Sequence, residues 1–100
     1  MGSPRKFDEA AAHYRSILKI KPAFAQSYIS LGRNLMAQKR VDEAEANFRA
    51  ALRVEPENAE THQDLARALA QQGKVDEGAR HLEMALRLLK QTRHSPSDTR

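Results

Sequence analysis

One hundred residues, 40% hydrophobic and 30% charged, describe one small folded domain. The absence of cysteine excludes disulfides and thiolate metal centres, and no apolar run approaches the roughly 18–20 residues of a membrane-spanning helix. The net charge is +4, but residues 87–100 carry +3 of it, so the rest lacks the clustered basic face of a nucleic-acid binder.

In chain order, residues 1–6 are expected to be a leading linker, and MGSPRKF has no apolar segment of secretory type. A first helix is expected near 7–20, with Phe7, Tyr14 and Ile17 on one side. A second is expected near 24–38, where Tyr28, Leu31 and Leu35 share a face through spacings of three and four. The polar stretch AQKRVD leads to a third helix near 42–54, whose Ala44, Phe48, Ala51 and Leu52 form the next apolar face. Pro56 follows it, where proline cannot continue the helical ladder. A fourth helix is expected near 58–72, stopped at Gly73. A fifth is expected near 76–92. It has Lys90 where its predecessor has Pro56, so it is expected to run on through LRLLKQTR. Residues 93–100 are expected to be a disordered basic tail, in which SPSD has the form of a phosphorylation site.

The decisive feature is an interval. FDEA stands at 7–10, VDEA at 41–44 and VDEG at 75–78, each 34 residues from the last. Residues 25–58 align with 59–92 without a gap at eleven identities, among them Leu31/Leu65, Leu35/Leu69, Ala51/Ala85 and Leu52/Leu86. A fixed period of this length marks a repeat array. The acidic pairs then read as architecture. Asp8, Asp42 and Asp76 are expected to cap helix starts, each contributing roughly 1 kcal/mol, with the following Glu at the positive dipole end. Lys19, Arg53 and Arg87 are expected near helix ends, where cations are favoured. Catalytic use of these pairs is disfavoured, since adjacent residues point different ways on a helix.

A 34-residue unit with Tyr28, Leu31–Gly32, Leu35, Ala44, Phe48, Ala51 and Pro56 at these spacings resembles the tetratricopeptide repeat. The resemblance covers 7–92 as a half repeat (7–24) and two full repeats (25–58 and 59–92). It implies an all-α superhelix of stacked helix pairs, here beginning in mid-repeat. It also implies that Gly32 faces Ala44, and Ala66 faces Gly78, where paired helices approach closely.

The family's use implies a scaffold that binds a partner peptide or helix in its concave groove. The positions of this chain that match the groove are Gln26, Ile29, Arg33, Met36 and Ala37, then Glu60, Gln63, Arg67, Ala70 and Gln71. Arg33 and Arg67 share a register and suit an acidic partner. In the alternative reading Arg33 pairs with Glu60 or Asp64 and Arg67 is solvated. A subgroup that binds chaperone C-termini uses a Lys and an Asn where this chain has Ile29 with Arg33 and Gln63 with Arg67, so that activity is not expected.

The alternative function is a structural segment that self-associates, as a homodimer, through Phe7, Tyr14 and Ile17 or through Leu82, Leu86 and Leu89. No residue is assigned to catalysis, a cofactor or a metal. The glycines form no phosphate loop, HExxH is absent, and His62 is expected to be packed or hydrogen-bonded. His13 and His81, at matching repeat positions, are expected on outer faces. The sequence assigns no compartment.

Overall fold

The computed structural model describes residues 4–93, which form five helices and no strand: α1 (Pro4–Ile20), α2 (Ala25–Ala37), α3 (Val41–Val54), α4 (Ala59–Gln71) and α5 (Val75–Arg93). The expected tail, apart from Arg93 at the end of α5, lies outside the described residues, as do residues 1–3 of the expected linker. Pro4–Lys6 of that linker are helical and extend α1.

Each helix packs mainly on its neighbours in sequence, and α2 also touches α4 directly. The helices therefore form two layers, α2 and α4 in one, α1, α3 and α5 in the other. The radius of gyration, 15.1 Å, exceeds the roughly 13 Å of a compact 100-residue domain. The molecule is an open stack rather than a closed bundle.

The core lies at the junction of the two full repeats, built from Leu35, Ala44, Phe48, Leu65, Ala68 and Leu69. Met36, Val41 and Leu52 pack against it from the edge. The two close helix approaches differ. A Cβ built on Gly78 meets the Ala66 carbonyl oxygen at 3.2 Å, as the expected exchange of glycine and alanine requires. A Cβ on Gly32 instead meets the Phe48 ring, with Cδ1 at 2.7 Å and Cζ at 2.8 Å. The aromatic ring, not Ala44, is the volume for which Gly32 makes room.

Both inner-layer helices end alike. The Arg40 amide donates to the Leu35 carbonyl at 2.9 Å and the Lys74 amide to the Leu69 carbonyl at 2.8 Å. The Lys39 and Gly73 amides close the shorter loops onto Met36 and Ala70. This is the Schellman closure, which needs a left-handed residue after the cap. Gly73 supplies it at φ 82°, but the first repeat uses Lys39 at φ 62°. A non-glycine residue there is strained. Lys39→Gly is therefore expected to stabilise the fold by about 0.5–1 kcal/mol after the entropy of the freer unfolded chain is deducted. The midpoint of urea unfolding checks this; a fall in the midpoint would contradict it.

The expected aspartate caps are not formed. Arg40 holds the cap position of α3 without a side-chain capping bond, and Asp42 lies inside the first turn, as Asp76 does in α5. Asp8 lies further inside, because α1 begins at Pro4. Asp42 and Asp76 still place charge at the positive end of the dipole. A side-chain cap occurs at Asn58, whose Oδ1 accepts from the Thr61 amide at 3.1 Å. Lys19 and Arg53 stand in last turns as expected, whereas Arg87 does not, since α5 continues to Arg93.

Candidate partner-binding groove

The direct contact of α2 with α4 turns both helices' free faces to one side. Gln26, Arg33 and Ala37 of α2 are exposed there, as are Glu60, Gln63, Arg67, Ala70 and Gln71 of α4. Two expected groove residues are withdrawn from solvent. Ile29 is only 4% exposed, and Met36 packs on the core. Their apolar side chains are already covered by this protein, so the accessible face is polar.

Its centre is ionic. Arg33 Nε and Nη2 both donate to Oδ2 of Asp64, at 2.9 and 2.8 Å. Arg33 Nη2 also lies 3.7 Å from Glu60, and Arg67 Nη1 lies 3.6 Å from the other Asp64 oxygen. The Asp64 side chain is 7% exposed, against 50% for Arg33 and 67% for Arg67. A nearly buried carboxylate thus anchors two guanidinium groups whose outer edges face water. The pairing of Arg33 with Asp64 and Glu60 is the alternative the sequence left open. Exposed donors nevertheless remain on both arginines.

The opposite layer holds a second polar system. Arg49 donates from Nε to Glu45 at 2.7 Å and from Nη2 to Glu77 at 2.6 Å, joining α3 to α5. Gln72 Nε2 donates to Glu45 at 2.7 Å, and Lys74 lies 3.6 Å from it. Burial alone would raise the Glu45 carboxyl, but the hydrogen bonds from Gln72 and Arg49 and the charges of Arg49 and Lys74 outweigh it and hold the carboxyl low. Hydrogen bonding to Arg49 likewise lowers Glu77.

His81, expected on an outer face, is half-buried against His62. The two Nδ1 atoms are 3.0 Å apart, the ring planes differ by 25°, and the centroids are 5.2 Å apart, so nitrogen faces nitrogen nearly edge to edge. His62 Nε2 donates to the Pro56 carbonyl at 2.8 Å, which leaves its Nδ1 as an acceptor for the His81 Nδ1–H in the neutral pair. Spacing could not show this contact, because the two residues lie 19 apart and on helices of different type. His13 is exposed and sits edge-on to Tyr14. Among the described residues no three His, Cys, Asp or Glu side chains are close enough to hold a metal ion, and no helix is long and apolar enough to cross a membrane.

Of the expected self-association residues, Phe7, Tyr14 and Ile17 are half-buried, and the Phe7 carbonyl accepts from Asn34 at 3.1 Å. Leu82, Leu86 and Leu89 are exposed by 48%, 61% and 43%.

Two family models, both for the tetratricopeptide repeat, match residues 5–46 and 35–95. The chain belongs to the tetratricopeptide repeat family. The second match alone spans more than half of the sequence. Solved structures of MamA share the fold. One superposes with a TM-score of 0.87 at 17% identity, covering 90% of this chain and 53% of that chain. MamA from Desulfovibrio magneticus RS-1 gives 0.82 at 19% identity, covering 90% and 50%. MamA MSR-1 gives 0.81 at 26% identity, covering 87% and 50%. The chain therefore spans about half the length of these solved chains. No curated protein matches the sequence. Tetratricopeptide repeats are in general protein-interaction scaffolds rather than catalysts.

Proposed function

We propose that this segment is a non-enzymatic scaffold whose α2–α4 face receives a carboxylate-bearing peptide or helix of a partner protein. The observation that carries this reading is the pair of half-exposed guanidinium groups held side by side over one buried carboxylate. Asp64 fixes Arg33 before a ligand arrives, which reduces the ordering cost of binding, and Arg67 stands 3.6 Å from its other oxygen. Arg67 keeps the greater share of free donors, and Gln63 stands beside it on the same face. Displayed peptides selected on the immobilised protein are expected to be acidic and to bind less tightly as salt rises. Arg67→Glu is expected to weaken the recovered peptides at least about tenfold, with the helical signal unchanged. Arg33→Glu is the poorer test, since it sets a second carboxylate against Asp64. Recovery of peptides that bind Arg67→Glu equally well would remove the groove reading.

The exposed leucines of α5 favour a second reading, a segment that self-associates through that helix. Such a segment loses its association on Leu86→Glu, a change outside the α2–α4 face.

A further inference from the structure

The exposed apolar residues of α5 are not scattered. Val75, Ala79, Leu82, Leu86 and Leu89 follow one another at intervals of four, three, four and three, the seam of a coiled-coil helix. All five are exposed, with Val75 at 65% and Leu86 at 61%. They are not the side on which α5 packs, because Gly78 and Ala85 are the buried positions of that helix, and Gly78 faces Ala66 of α4. The α4 contact and the leucine seam are therefore adjacent but separate stripes.

A row of charge borders the seam. Asp76, Glu83 and Lys90 recur every seven residues, and all are exposed with no ion-pair partner among the described residues. The row is acidic toward the N-terminal end of α5 and basic toward its C-terminal end. A helix with this polarity is complementary to a reversed copy of itself. Antiparallel pairing sets Asp76 of each copy by Lys90 of the other, twice over by symmetry, with the two Glu83 side chains near the centre. Parallel pairing instead turns this row toward Gly78 and Ala85 of the other copy, where it meets no opposite charge.

The shape agrees. A hollow of about 320 Å³ beside Leu82 is lined by Gln63, Ala66, Arg67 and Ala70. In the antiparallel register Leu82 shares a layer with Leu86 of the second copy, which sets that leucine beside the hollow as a knob beside its hole. We infer that α5 pairs antiparallel with α5 of a second copy of this chain, a surface that adjoins the α2–α4 face at Gln63, Arg67 and Ala70. The inference rests on the self-association reading and gives it a register.

Sedimentation equilibrium of the full chain across a concentration series tests it. Leu86→Glu is expected to yield a monomer at every concentration, with helicity retained because Leu86 is already exposed. Asp76→Lys and Lys90→Asp are each expected to weaken the dimer about three- to tenfold, and the double exchange is expected to restore it. A dimer that survives Leu86→Glu but is lost on replacing Tyr14 and Ile17 with glutamate leaves self-association standing and overturns the α5 pairing. A double exchange no tighter than either single one overturns the antiparallel register. A wild-type chain monomeric throughout overturns both readings.

Discussion

Gly32→Ala is expected to destabilise the fold by about 1–3 kcal/mol, and Phe48→Leu in the same chain is expected to recover most of that loss. Helix propensity alone gives the opposite sign, because alanine in a helix interior is favoured over glycine by about 1 kcal/mol. Packing decides between them. The new methyl would lie 2.7 and 2.8 Å from ring carbons of Phe48, well inside van der Waals contact. The ring is 1% exposed and enclosed by Leu35, Leu65 and Leu69, so it has nowhere to turn. The second repeat contains the solution. At the matching positions it has Ala66 and Leu82, a larger residue on the first helix opposite a smaller one on the second. Phe48→Leu alone removes ring volume from the core and is expected to cost about 1–2 kcal/mol. The double variant is then less damaging than the sum of the singles, with a coupling of at least about 1 kcal/mol. Urea unfolding of the four chains measures it, and simple additivity would show that ring and glycine do not share the space.

Arg33→Ala is expected to cost about 1–2 kcal/mol, and Arg67→Ala less than about 0.5 kcal/mol, although the two arginines occupy the same repeat position. The difference lies in Asp64. Its carboxylate is almost wholly covered, and Arg33 closes on one oxygen with two donors, whereas Arg67 stands 3.6 Å from the other. Removing Arg33 leaves a covered charge with one distant partner. Water still reaches half of the Arg33 side chain, so the loss is set below that of a fully buried pair. Asp64→Ala made together with Arg33→Ala is expected to cost less than the two changes added. Equal losses for the two arginines by thermal unfolding would contradict this asymmetry.

Periodicity carried the fold, and the reason is visible in particular residues. Leu31, Leu35, Leu65 and Leu69 are all buried, because spacings of three and four put them on one side of a helix and a second helix covers that side. Helix ends were legible where glycine or proline set them, as at Gly73 and Pro56. They were less so at Lys39, where the backbone takes the same turn without a residue that advertises it. The aspartate caps failed because α3 and α5 begin just before Asp42 and Asp76, which leaves both carboxylates inside the first turn. The groove was legible as a face but not in its occupancy. Nothing in the spacing of Ile29 distinguishes a residue that awaits a ligand from one already covered. The contact of His62 with His81 depends on how α4 and α5 are rotated against each other, which no local pattern records.

Those two imidazoles set a limit on how much acid the α4–α5 seam tolerates. Burial, then His62 and then Arg49 push the His81 imidazole below its usual range, against a weaker opposing pull from Glu77. The unfolded chain therefore takes up this proton first as pH falls through the ordinary histidine range near 6.5, and stability declines with it. A single added proton on the outer nitrogen of His81 leaves the bridging N–H in place. Acidification thus weakens the α4–α5 pair from within, at His81 rather than at the core around Phe48.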